Sequence, residues 1–124
     1  MNYNIDHHEN FDILHLSGQA WSNDLSLNLN KLADTLIADS KSLIIDLSQI
    51  ELLSEKDIAD IIQLHEKMYQ ENLSMAMFGL QNACKTLWAG IEETETLNLT
   101  PTLQESIDLV SMEGLEREFL NEDF

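Results

Sequence analysis

Apolar and polar residues alternate through "FDILHLSG" (residues 11–18). Phe11, Ile13 and His15 fall on one side, Leu14 and Leu16 on the other, and Ser17-Gly18 ends the run. A period of two predicts a strand entering a turn. "YNIDHHE" before it is a weaker strand, and the polar "HEN" between them suits a hairpin. Leu25, Leu29, Leu32 and Leu36 recur at steps of four, three and four. That is one face of a helix, for which Asn23 or Asp24 is the expected cap.

"SLIIDL" is a short continuous apolar run, the pattern of a strand buried on both faces. From residue 55 to 71, Ile58, Ile61, Ile62, His65, Met68 and Tyr69 return to helical spacing. "LSMAMFGL" predicts a second buried strand. Residues 81 to 90 place Ala83, Leu87 and Trp88 on one helical stripe. "ETLNLT" alternates as a last strand would. Pro101 then suits the first turn of a helix capped by Thr100, with Leu103, Ile107 and Val110 on its apolar face.

Strands alternating with helices imply right-handed parallel crossovers, and the opening hairpin makes the sheet mixed. The expectation is one small α/β domain, with about four or five strands and about four helices. Residues 1–110 form the expected domain and 111–124 an acidic extension. In that extension Leu115, Phe119 and Leu120 either dock on the domain or a partner, or fray with the terminus.

Length and apolar content change little: 124 residues at 44% hydrophobic suffice for one core. Charge changes more. Six Lys and Arg stand against 23 Asp and Glu, a net −17. Phosphate backbones are recognised by cations, so nucleic acid is excluded as a partner class, and anionic membrane surfaces are disfavoured. The charge keeps the chain soluble and can steer it toward a basic partner. No run of about 18 apolar residues is present, so no membrane insertion is expected. The polar N-terminus does not read as a signal peptide, and the lone Cys84 does not suggest secretion. The cytoplasm is the expected compartment.

Catalytic chemistry is not indicated. The chain has no P-loop, no GxGxxG, no CxxC pair and no nucleophile elbow. The adjacent His7 and His8 face opposite sides of a strand, a poor metal geometry. His15 and His65 read as core-edge histidines. Cys84, beside Lys85 and near a helix start, has a setting that can lower a thiol pKa, although a lone helical cysteine is usually packing. The pair Glu92 and Glu93 makes no acid/base couple. No cofactor and no metal site is expected.

The stretch "LLSEKDIAD" draws more interest. Ser54 is placed as an N-cap, with Asp57 three residues on in a capping-box spacing. Leu53 and Ile58 have the positions of a hydrophobic staple, and Glu55 and Asp57 complement the positive helix end. Nothing in that account requires a function.

"SLIIDLSQIELLSEKDIADIIQLHEKM" also resembles the central segment of the STAS domain family, which includes the bacterial anti-sigma factor antagonists. "DILHLSG", "MAMFGLQNACKTLW" and "LNLTPTLQESIDLV" are similar to the family's other elements in the same order, spanning roughly residues 5 to 110. The resemblance implies a regulatory, non-enzymatic domain that docks an anti-sigma factor or serine kinase-type partner at the start of the helix after the "DLS" strand. Carried onto this chain, that surface comprises Leu53, Ser54, Glu55, Lys56, Asp57, Ile58 and Asp60. In the family a serine of an Asp-Ser-Ser/Thr-Gly motif is phosphorylated. Here Glu55 stands at the acceptor position, Ser54 at the Asp and Asp57 at the Gly.

Phosphoserine would bring about −1.5 to −2 charges to this helix end. Glu55 brings a fixed −1, either mimicking the phosphorylated state or marking a domain without the switch. A relocated acceptor would be Ser54, at the expense of its cap. The resemblance leaves room for other classes: an accessory subunit of a membrane lipid-transport ABC system, or a nucleotide sensor, which the charge disfavours.

Overall fold

The computed structural model describes residues 3–122, and side chains through residue 120. The order is β1 (Tyr3–His7), β2 (Phe11–Leu16), α1 (Asn23–Ala38), β3 (Ser42–Asp46), α2 (Glu55–Gln70), β4 (Met75–Phe78), α3 (Asn82–Ala89), a 3-10 turn (Glu92–Thr96), β5 (Asn98–Thr100) and α4 (Leu103–Glu122). The five strands lie in sequence order across one sheet. β1 pairs antiparallel to β2, and every later pairing is parallel. This is the mixed α/β sheet with four helices that the pattern predicts.

Alternation along the strands divides the interior in two. Leu14, Leu16, Leu43, Ile45, Met75 and Met77 join the inner faces of α1, α2 and α3 in the larger core. Ile13, Ile44 and Ala76 point the other way, toward Val110, Leu103 and Ile107 of α4. The sheet is therefore covered on both sides, as parallel strands require. β1 and β2 meet in register from Tyr3↔Leu16 to His7↔Asp12.

Several local expectations shift. The cap of α1 is Ser22, whose side chain accepts from Leu25 N at 3.1 Å, in place of Asn23 or Asp24. In α3 the buried stripe is Cys84 and Trp88 with Leu87 at its edge, while Ala83 is exposed. The first half of "ETLNLT" winds into the 3-10 turn, leaving only Asn98–Thr100 as strand. The cap of α4 is Thr102, which accepts from Glu105 N at 3.2 Å; Thr100 instead donates to the carbonyl of Thr102. α4 then runs without interruption past residue 110 to Glu122.

Two contacts at the strand ends fix the surroundings of the "DLS" segment. Gly79 has φ +80°, and a Cβ there would meet the Ser48 side chain at 3.1 Å, so only glycine fits without displacement. Leu47 N donates to Phe78 O at 2.9 Å, holding the chain after β3 against the end of β4.

Candidate functional site

Between β3 and α2 the chain crosses the top of the sheet in a fully anchored loop. Leu47 and Ile50 are buried in the main core. Asp46 accepts from Ser48 N at 2.9 Å, a local turn bond that gives the Asp of "DLS" a structural role. Gln81 donates to Ser48 O at 2.6 Å, and the Cys84 thiol lies near the carbonyls of Ile50 and Glu51 at 3.8 and 3.5 Å. Burial pushes the Cys84 thiol above its ordinary pKa, against the lowered value its helix position suggested. Cys84 belongs to the scaffold of this loop.

The other side of the loop is held by residues 19–21. Glu51 N and Leu52 N both donate to Gln19 O, at 2.7 and 3.0 Å, and Trp21 N donates to Leu52 O at 3.2 Å. These bonds place the Leu52 side chain in solvent, 66% exposed. They also bring the N-termini of α1 and α2 to the same end of the molecule.

At α2 the capping box is complete. Ser54 Oγ accepts from Asp57 N at 3.1 Å, and Asp57 Oδ2 accepts from Ser54 N at 2.8 Å. Asp57 is buried in doing so, and Ile58 lies wholly in the core. Leu53 is half-buried against that core. Ser54, Glu55 and Lys56 are exposed. Glu55 makes no hydrogen bond or ion pair among the described residues, so a bare carboxylate stands over the positive end of α2.

Lys56 reaches across to α1. Its Nζ donates to Asn23 Oδ1 at 3.0 Å and to Asp60 Oδ2 at 3.2 Å. The same Asp60 oxygen accepts from Ser26 Oγ at 2.8 Å, and Ser26 accepts from Trp21 Nε1 at 2.8 Å. A chain from the buried indole to the exposed ammonium thus fixes the Lys56 side chain. Leu27, one turn after Asn23 on α1, is 62% exposed on the same side.

Of the seven site residues drawn from the sequence, Ser54, Glu55, Lys56, Leu53 and Asp60 share this surface. Asp57 and Ile58 support it from beneath. The sequence reading did not place Leu52, Asn23 or Leu27 at this surface. They enter only because the loop docks on residues 19–21, a tertiary contact without a local signal.

Elsewhere, His15 lies between two carboxylates: Nδ1 to Asp46 at 2.8 Å and Nε2 to Asp6 at 3.1 Å. The bond to Asp46 raises its pKa above 6.5, partial burial opposes this, and Asp6 adds to the rise. Burial pushes the Asp46 carboxyl up, but the bonds from Ser48 and His15 outweigh it and hold it below the usual range. His65 is buried and stacked on Tyr69 with ring centroids 4.2 Å apart, and burial lowers its pKa. No group of three or more His, Cys, Asp or Glu able to hold a metal occurs among the described residues. No described helix is long and apolar enough to cross a membrane.

Against solved structures the match is extensive. An anti-sigma factor antagonist from Mycobacterium paratuberculosis is 22% identical, covering 89% of this chain and 93% of its own at a TM-score of 0.72. An anti-sigma-factor antagonist (STAS) domain protein from Planctomyces limnophilus is 14% identical, covering 87% and 96% at 0.66. The chain has the STAS fold. The same STAS architecture appears in a serine-to-glutamate variant of RsbS from Moorella thermoacetica, 17% identical over 94% of this chain and 99% of that one, at 0.64. No protein-family model matches the sequence, and neither does any curated protein.

Proposed function

We propose that this STAS domain is a non-enzymatic regulatory binding module of the anti-sigma factor antagonist kind. It docks a protein partner, an anti-sigma factor or serine kinase-type regulator, on the surface formed by Leu52, Leu53, Ser54, Glu55, Lys56 and the facing Asn23 and Leu27. One observation carries the reading. An unpaired carboxylate and a fixed ammonium stand on the first turn of α2, with Leu52 exposed just before that turn and Leu27 exposed one turn beyond Asn23, which Lys56 contacts. Exposed apolar residues beside oriented charges on rigid backbone are what a specific interface needs.

Glu55 is the fixed charge of this module and not a switch. Ser54 is committed to the capping box, so phosphorylation there would remove a cap while adding charge beside Glu55.

Complex formation with the partner recovered from the protein's own cell tests the proposal. Lys56→Glu inverts the ammonium and is expected to weaken binding at least about tenfold, the scale of one well-placed interface residue. Glu55→Ser is expected to change affinity in the same assay and to render the protein a better kinase substrate than the wild type. Unchanged binding by both variants, or wild-type phosphorylation abolished by Ser54→Ala, contradicts it.

A further inference from the structure

The solvent side of α4 carries Met112, Leu115 and Phe119, exposed by 60%, 64% and 69%. Spaced i, i+3 and i+7, they form one stripe, rising about 10 Å along the helix. The residues that seat α4 on the sheet, Leu103, Ile107 and Val110, lie on the opposite side. The helix is thus apolar on two faces, and the sheet uses only one. Leu115 also borders an open groove of about 600 Å³ with mixed walls, apolar at Phe11, Leu73 and Val110 and polar at Asn10, Asn72 and Arg117. The stripe itself is the exposed apolar surface, and such a surface on one helix face marks an interaction site.

The charges beside it select the occupant. Glu105, Asp108, Glu116 and Glu118 are exposed along the same helix. Arg117, its single base among residues 103–120, turns inward: it donates to Ser74 Oγ at 2.7 Å and lies 5.6 Å from the Tyr69 ring centroid. The exposed charges beside the stripe are all acidic. A second copy would press these acids against their own kind, on chains each carrying −17. An anionic bilayer meets the same repulsion.

We propose that the Met112–Leu115–Phe119 face of α4 docks a basic amphipathic helix of a partner protein, with apolar residues at matching spacing and Lys or Arg on its flanks. Helices recognise such faces through i, i+3 and i+7 anchors. The site is on the opposite side of the sheet from Ser54–Lys56. It does not rest on the function proposed above, and both surfaces can be occupied together.

The test uses the full chain and labelled model peptides of about 16 residues, roughly 24 Å as a helix. One is a Leu/Lys helix with the matching spacing, one its scrambled isomer and one a Leu/Glu counterpart, all followed by fluorescence anisotropy at near-physiological salt. The Leu/Lys helix is expected to bind best. Affinity is expected to fall at least about tenfold for the Met112→Ser/Leu115→Ser/Phe119→Ser protein. The Glu116→Lys/Glu118→Lys protein, with the stripe intact, is expected to weaken binding as well. Equal binding of the scrambled peptide, or full affinity in either variant with native circular dichroism, overturns the proposal. So does a wild-type dimer in sedimentation velocity that the triple variant abolishes, which would assign the face to a second copy. Stripe-dependent binding to phosphatidylglycerol vesicles would assign it to lipid and overturn the proposal equally.

Discussion

At the scale of single residues, the start of α2 is held by its own cap. Ser54 and Asp57 close the capping box, and their satisfied bonds leave Glu55 and Lys56 exposed on the first turn, where the proposed docking surface lies. Ser54→Ala is expected to cost about 1 kcal/mol of stability and Ser54→Gly only a few tenths, measured as shifts of the urea midpoint. A loss near zero for alanine would mean that the cap bonds contribute nothing. The two internal histidines are expected to titrate in opposite directions. His15, held by Asp46 and Asp6, has a folded pKa above 6.5. Its stabilisation is fully present below the unfolded pKa of about 6.5 and is lost as pH rises through the folded value. His65, desolvated, lies below 6.5, so acid destabilises the fold as the unfolded chain takes up that proton first. Histidine NMR titrations read both midpoints, and a His15 midpoint at or below that of His65 contradicts this assignment. The spacing of Ser54 and Asp57 made their cap legible in the sequence. His15 with Asp46 was not, because 31 residues separate them.

At the scale of elements, hydrophobic periodicity marked the five strands and the four α-helices but not the 3-10 turn, and most errors fall where elements begin or end. Thr100 and Asn23 lost the capping role to Thr102 and Ser22, because several Ser, Thr and Asn stand together and tertiary docking decides which one caps. "ETLNLT" became half 3-10 turn since Thr94, buried before it, binds the carbonyls of Trp88 and Ile91 at 2.7 and 2.6 Å. α4 was harder to read beyond residue 110, where its apolar residues change faces. Gly114 sits inside that helix with nothing within 4 Å of an added Cβ. Gly114→Ala is therefore expected to stabilise the protein by about 0.5–1 kcal/mol, seen as a higher urea midpoint. Gly79→Ala is expected to destabilise it by about 1–3 kcal/mol, because alanine must adopt a left-handed backbone against Ser48.

At the scale of the whole molecule, a sheet covered on both sides separates two unlike surfaces. The α1–α2 end presents Leu52, Glu55, Lys56 and Leu27, and the outer side of α4 presents an acid-bordered apolar stripe. The family resemblance pointed to residues 53–60 of the first, while Leu52 and Leu27 entered only with the tertiary contact to residues 19–21. The second required knowing which side of α4 meets the sheet. A net charge of −17 also acts on the molecule as a whole. Self-repulsion is screened by salt, so the melting temperature is expected to rise between about 0.01 and 0.2 M NaCl, where the Debye length falls from ~30 Å to under ~10 Å. A flat or falling melting temperature across that range would show that charge repulsion does not limit the fold.

The central claim concerns the surface at the start of α2, and chemical-shift mapping reads it directly. The isotope-labelled protein would be titrated with the partner recovered from its own cell. The account predicts that the largest shifts fall on residues 52–56 and on Asn23 to Leu27, and that Lys56→Glu abolishes them at the same concentrations. Shifts confined to other faces of the domain, with residues 52–56 unmoved, would contradict it.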